Sequence, residues 1–417
     1  MNAQNDNGSI ELDVEVMKRI ENEFKEKEIK NYKIKVSTGA GKGDNYLGVI
    51  AKITAKGTDR NGQQISINWI AKIAPKGEGL RKVLDIDILY EREVYVYEKI
   101  FPLFEKFQDD RAVLKPFNFY ASYVFSHLQE HCFVMEDMKS LGYIMKDRKK
   151  PLDYNHVKLV MEAYGKLHAI SFALRDQDPE LFGKLAESTV EAVFNKKDID
   201  RERKKEHMAK YHNKVLESLH PEEDSVAIEK YKKYVENDVE IFADLFDNQN
   251  KYSVIGHGDS WVNNMLFRYE NSDHPDRPTR ICLLDWQLCR YGSPAFDLSY
   301  FVFTCTDEIL RQRHYDNMIK LYYHSLCQHL ADLGSDPEQL FPFEALESEL
   351  KRASIFGLYM SIMIVRLMMS EVEEIPDLND IDENKAVMDY KSVNDDVYKK
   401  RIRGMVLDFE RYGYLDF

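Results

Sequence analysis

The sequence predicts an α+β fold of two lobes: a β-rich first lobe with an antiparallel sheet, then a mostly helical second lobe. Three observations carry this. Alternating apolar and polar runs fill the first third of the chain. Helical periodicity dominates from about Asp153 onward. Between helical stretches, a strand-loop-strand unit from Tyr252 to Gln287 concentrates His, Asp and Asn. The expected boundary puts residues 1–138 in the first lobe and 139–417 in the second.

The elements follow in order. Val14 to Lys30 mixes charged and apolar residues at helical spacing and predicts a leading helix. Tyr32 to Ser37, Tyr46 to Ala55 and Gln64 to Ala74 read as strands, with the turn residues Lys56 to Gly62 before the third. Asp85 to Ile100 has helical periodicity and is expected to stop at Pro102. Phe117 to Phe125 and His131 to Met135 are two further strand candidates. Tyr154 to Leu174 predicts an amphipathic helix. Glu180 to Asn248 predicts charged helices, with Arg201 to Lys205 as a solvated face. Met265 to Phe267 and Ile281 to Leu284 predict a hairpin with a long polar connection. Helices resume near Thr306 and run to about Tyr412, broken between Gly334 and Pro342 and by the acidic loop Glu371 to Glu383. Ile355 to Met369 is apolar but contains Arg366 and falls short of the roughly 20 residues that span a bilayer, so it reads as a buried helix.

Composition narrows the function classes. The 417 residues include 72 acidic and 58 basic ones, a formal net charge of −14, which disfavours nucleic acid or an anionic membrane as the main partner. Five cysteines without a C-x-x-C pair suit reduced, buried thiols. Met1 to Asp13 is polar and lacks the apolar segment of a signal peptide, so a cytoplasmic location is expected; the chain is separately expected to be a monomer.

The chemistry lies in His257-Gly258-Asp259-Ser260-Trp261-Val262-Asn263-Asn264 and in Ile281 to Asp285. An Asp and an Asn five residues apart share one polar turn, and a second Asp closes a short apolar run. In phosphoryl transfer from ATP the protein mainly positions groups and neutralises charge. Asp259 is the candidate catalytic carboxylate that accepts a hydroxyl proton, and Asn264 and Asp285 are the candidate Mg²⁺ ligands. Singly, each reads as a turn Asp or a helix-capping Asn; the ordered set between two apolar runs favours chemistry. His257 reads as a residue that shapes the loop by bonding backbone, and Trp261 as packing.

The first lobe supplies the complement. In Gly39-Ala40-Gly41-Lys42-Gly43-Asp44-Asn45, backbone N–H groups can approach phosphates because glycine lacks a Cβ, and Gly41, Gly43 and Asn45 are the candidate nucleotide contacts. Lys72 is flanked by apolar residues, where an unpaired ammonium is costly; Glu93 on the following helix resolves that cost, with Glu91 as the competitor. Val134 to Met138 ends the last strand of the lobe. As a hinge it would offer backbone groups of Glu136 and Met138 to an adenine edge, with Met135 or Phe133 covering a ring face; a plain strand-to-helix loop is the alternative. Asp297 reads as the cap of the helix that starts near Pro294.

Together these residues resemble the ecdysteroid-kinase-like (CHK-kinase-like) family of insects and nematodes, relatives of choline kinases and aminoglycoside phosphotransferases. The matching pieces are Lys42-Gly43-Asp44-Asn45-Tyr46, Tyr90-x-x-Glu93, Val134-Met135-Glu136-Asp137, Leu167-His168-Ala169, His257-Gly258-Asp259-x-Trp261-x-x-Asn264, Asp285-Trp286-Gln287 and Pro294-x-x-Asp297-Leu298. Tyr90 and Trp286 stand where the family often has Phe. The resemblance implies a protein-kinase-like fold and ATP- and Mg²⁺-dependent phosphorylation of a hydroxyl on a small molecule, an ecdysteroid or a xenobiotic. A choline- or ethanolamine-type kinase and a nucleotide-binding pseudokinase are the rivals. The acceptor pocket is expected between the catalytic loop and helices of 180–250 and 306–370, with 180–250 setting specificity.

Overall fold

The computed structural model describes residues 10–39, 48–75, 85–191, 193, 201–271, 273–375, 390 and 392–416. Asp13 caps α1 (Val14–Glu26), which leads into β1 (Lys30–Thr38), β2 (Val49–Thr58) and β3 (Gln64–Ile73). With β4 (Tyr123–His127) and β5 (Cys132–Glu136) these form a five-stranded antiparallel sheet in the order β1-β2-β3-β5-β4. Strand alternation gives the sheet two different faces. Ala51, Ile53, Trp69, Ala71 and Val134 pack with Val16, Ile20 and Phe24 of α1. Ile50, Ile70, Lys72 and Met135 point the other way, into a cleft.

The helix over 85–100 does not stop at Pro102. α2 (Ile86–Tyr95) passes through a π-helical turn, Val96–Ile100, directly into α3 (Phe101–Asp109). The Phe101 N–H bonds back to Val96 O, and Pro102 sits at the start of α3, where a missing N–H costs little. The strand expected from Phe117 begins only at Tyr123. Residues 117–122 lie instead as an extended connection: the Leu283 N–H donates to Phe119 O, and Tyr120 stacks on Phe101 at 3.7 Å. Their apolar spelling reflects packing between the lobes, and their strand character is limited to an isolated parallel bridge from Tyr120 to Leu283.

Beyond β6 (Tyr143–Met145) the chain is helical around α4 (Tyr154–Gln177). α5 (Pro179–Ser188), α6 (Arg201–Leu216) and α7 (Ser225–Asp247) follow. Strands β7 (Val254–Gly256), β8 (Met265–Tyr269), β9 (Pro278–Leu283) and β10 (Arg290–Gly292) then carry the polar loops. β8 and β9 form the expected hairpin, Met265 opposite Leu283, and β6 adds to it. Helices resume at α8 (Pro294–Cys305), the helix expected to start near Pro294, which is buried on every side. α9 (Glu308–Asp332), α10 (Pro337–Leu340), α11 (Phe343–Ala353), α12 (Ile355–Met369) and α13 (Asp395–Arg411) complete the chain. α11 and α12 meet at a 51° bend, and among the described residues no single helix is long and apolar enough to cross a membrane. The α+β arrangement of an antiparallel sheet followed by a helical lobe is therefore the one the sequence predicts.

α13 is pinned to α9 by a buried ion pair, Arg311 Nε to Asp408 Oδ2 at 2.6 Å. Removing the carboxylate strands a guanidinium in the core, a loss of about 3–5 kcal/mol. Asp408→Ala is expected to lower urea stability by that order; a loss under about 1 kcal/mol would show that the pair does not anchor α13.

Candidate active site

The 257–264 loop is shaped from beneath. β7 delivers His257 and Gly258 to Asp297, whose Oδ2 accepts the His257 N–H at 2.7 Å and whose Oδ1 accepts the Gly258 N–H at 2.8 Å. The Ser260 hydroxyl donates to the same Oδ1 at 2.9 Å. His168 Nε2 meets Oδ2 at 3.1 Å, with its other ring nitrogen 2.9 Å from the Tyr322 hydroxyl. Burial alone would raise the Asp297 carboxyl; the His168 bond and charge and the loop N–H groups override it and hold it well below the usual carboxylate range. The expectation that Asp297 caps its own helix is therefore corrected. Ser293 is the α8 cap, and Asp297, in the first turn, turns its carboxylate to the loop.

Gly258 could be no other residue. Its φ is +87°, and a Cβ there would lie 1.8 Å from Leu288 O. Arg290 donates to the Gly258 carbonyl at 3.1 Å and pairs with Glu191 at 3.0 Å. His257 Nδ1 accepts the Asp259 N–H while Nε2 lies 2.9 Å from Leu284 O, so the ring shapes the loop as the sequence suggested. Burial depresses its pKa, which keeps it neutral.

Asp259 is buried beneath three donors. Its Oδ2 accepts Asn264 Nδ2 at 2.8 Å and Trp261 Nε1 at 3.3 Å, and its Oδ1 accepts the Tyr300 hydroxyl at 2.9 Å. Burial, then the nearby Asp285 charge, pushes its pKa up to about 6 against the pull of those donors. Nothing in the local sequence assigns Tyr300 a role. It lies on a largely apolar helix, and no local spacing links it to a residue 41 positions earlier.

Across the cleft, Lys72 Nζ lies 2.7 Å from Glu93 Oε2 and 2.7 Å from Asp285 Oδ1. Burial alone would lower the ammonium's pKa, but the two carboxylates override it and raise it above its ordinary value. The competitor Glu91 is exposed. Glu93 Oε1 also accepts the Trp286 N–H at 3.2 Å, tying α2 to the segment after β9. Asp285 adopts a left-handed backbone, φ 63°.

Glu136 and Met138 both line the cleft, with Met135 beside them. Phe133 packs instead against Tyr97 at 4.9 Å. Asp137, buried between them, pairs with Lys52 of β2 at 2.7 Å, a contact the sequence did not suggest. Gly39 is at the cleft wall; Gly41, Gly43 and Asn45 lie outside the described residues. No residue of 180–250 is among those lining the described cleft; α12 supplies Met360, Ile364 and Leu367. α7 is held elsewhere, with Arg403 of α13 pairing with Asp224 just before it at 2.7 Å and its Lys230 with Glu410 at 3.1 Å.

Among the described residues no cluster of three or more His, Cys, Asp or Glu side chains forms a metal site. Asp285 and Asn264 line the cleft together with Asp259. One carboxylate and one amide suit a Mg²⁺ ion whose other ligands are phosphates and water, which that ion commonly prefers to an all-protein cage.

A carboxyl raised from 3.8 to about 6 destabilises the folded state increasingly as pH climbs through that interval. Asp259→Asn removes the penalty. The variant is expected to gain stability relative to the natural protein by about 1 kcal/mol more at pH 8 than at pH 5 in urea unfolding. A gain larger at pH 5 would contradict the raised pKa.

A model of the ecdysteroid kinase-like family matches residues 42–335. The 4-hydroxytryptamine kinase of Psilocybe cyanescens is 40% identical over 47 residues, 11% of this chain and 12% of that protein. The 4-hydroxytryptamine kinase of Psilocybe cubensis is 33% identical over 66 residues, 16% of this chain and 18% of that protein. The match thus spans less than a fifth of either relative. Among solved structures, choline kinase LicA from Streptococcus pneumoniae is 12% identical with a TM-score of 0.34, covering 85% of this chain and 99% of that one. The GDP complex of wild-type aminoglycoside 2'-phosphotransferase-IIIa is 11% identical with a TM-score of 0.34, covering 84% and 99%. The family model spans well over half of the sequence, and the chain belongs to the ecdysteroid kinase-like family.

Proposed function

We propose that this protein transfers the γ-phosphoryl group of ATP to a hydroxyl of a small molecule, an ecdysteroid or a xenobiotic. One observation carries the reading: Lys72 with Glu93, Asp285, Asn264 and Asp259 converge from both lobes on a single cleft. Family membership supports a small-molecule kinase, and the curated relatives carry the name of a kinase for a hydroxylated small molecule.

Each residue has a task that its position suits. Lys72, held charged by Glu93, faces the nucleotide phosphates. Asp285 and Asn264 would hold Mg²⁺, which when bound neutralises phosphate charge. Glu136 and Met138 meet the adenine edge through their backbones. Asp259 orients the acceptor hydroxyl and takes its proton, with Tyr300, Asn264 and Trp261 fixing the carboxylate in place.

The choline-type alternative needs an aromatic or acidic cage for a cation. Among the described lining residues Trp261 is the single aromatic ring. The buried carboxylates of Glu93, Asp137 and Asp259 and the half-buried Asp285 already face an ammonium or a set of donors. The pseudokinase alternative leaves Asp259, Asn264, Asp285 and Lys72 without a reason to converge.

Mass spectrometry of ecdysone incubated with protein, ATP and Mg²⁺ tests this. A phosphate ester is expected from the natural protein, and Asp259→Asn is expected to lose at least about 100-fold in rate while the nucleotide Kd stays within about threefold. Turnover by Asp259→Asn at the natural rate would show that another group is the base.

A further inference from the structure

The cleft has two apolar walls. The sheet supplies one, through Ile50, Ile70 and Met135. α12 supplies the other, through Met360, Ile364 and Leu367, which at steps of four and three residues share one helix face. Asp259 and Asp285 also line the cleft. In an in-line transfer the donor and the acceptor oxygen approach the moving phosphoryl group from opposite sides. The sheet wall adjoins Lys72, on the same strand as Ile70, so the nucleotide belongs there and the acceptor's body falls to α12.

Packing fixes that wall relative to the candidate base. Gly357 lies so close to α8 that a Cβ on it would come within 2.5 Å of Ser299 Cβ. The next α8 residue, Tyr300, bonds Asp259, and Phe356 lies edge-on to the Tyr300 ring. Met360 follows less than one turn after Gly357, so it is carried to the flank of Asp259. The far end is also held. Arg148 donates to Leu367 O at 2.7 Å and to Ser370 O at 3.0 Å, three residues beyond Met145, which lines the same cleft. Met360 is buried, whereas Ile364 and Leu367 are only half-buried. α12 thus keeps partly uncovered apolar surface at the cleft while most of the helix is core.

We infer that the Met360–Ile364–Leu367 face of α12 selects the acceptor by the size of its apolar body. The inference rests on the kinase reading above. It assigns specificity to a segment that reads as a buried helix in the sequence, in place of the described residues of 180–250.

The test uses the full chain, Mg²⁺, ATP and three alcohols of graded size: benzyl alcohol, 2-naphthaleneethanol and ecdysone. Ile364→Trp fills the wall and Leu367→Ala opens it. Ile364→Trp is expected to cut kcat/KM for the largest alcohol turned over by at least about tenfold while changing the smallest by less than about threefold. Leu367→Ala is expected to move the large-to-small ratio the other way. Binding of a non-hydrolysable ATP analogue with Mg²⁺, measured by calorimetry, should stay within about twofold in both. If all alcohols fall together, or if the analogue's Kd shifts as much as the acceptor's kcat/KM, the wall is not the selector. If the natural protein phosphorylates none of the three, the kinase reading falls and this inference with it.

Discussion

A buried ammonium sets the terms for the rest of the molecule. Lys72 Nζ is almost fully enclosed, and a charge in that position is tolerable only with carboxylates against it. Glu93 comes from α2 and Asp285 from the end of β9, so one cation ties sheet, helix and hairpin together. The sheet register makes this unavoidable. Ala71 faces the α1 core, so its neighbour Lys72 must point into the cleft, opposite Ile50 on β2 and Phe133 on β5. Glu93 then holds the Trp286 backbone, and Arg92 beside it donates to Cys289 O, which fastens the helix to the chain after Asp285.

Two other carboxylates show how environment divides the labour. Asp297 is buried but receives two backbone N–H groups, a hydroxyl and a histidine, so it stays ionised and acts as a rigid post for the loop. Asp259 is also buried but sits near a like charge, so its pKa is pushed up to about 6. Carboxyls driven apart in this way are the usual sign of separate structural and proton-handling roles. The glycines make the division possible. A side chain at Gly256 would come within 2.5 Å of the Asp297 carboxylate, and one at Gly258 would collide with Leu288 O.

Much of this was legible because the signals were local or energetically forced. Lys72 between apolar neighbours demanded a partner, and the apolar runs beside Asn264 and Asp285 announced the hairpin that holds them. What escaped was non-local. Tyr300 and Asp297 sit on a helix buried on all sides, so nothing in its periodicity marked the two residues that reach the loop. The Lys52–Asp137 pair joins positions 85 apart. Pro102 read as a stop because the π turn that accommodates it has no sequence mark. From the sequence, specificity is expected of 180–250, whose helices carry no readable motif, and α12 reads as a buried helix within the 306–370 stretch expected to border the pocket.

The central claim is that the Lys72-centred cluster and Asp259 together transfer phosphate from ATP to a small-molecule hydroxyl. Phosphorus NMR of the protein with MgATP and hydroxylated acceptors observes that transfer directly. The account predicts a phosphate-ester resonance growing at the expense of γ-phosphate with the natural protein, and none on the same timescale with Lys72→Met. An ester formed equally fast by Lys72→Met, or inorganic phosphate as the sole product across the acceptors, would contradict it.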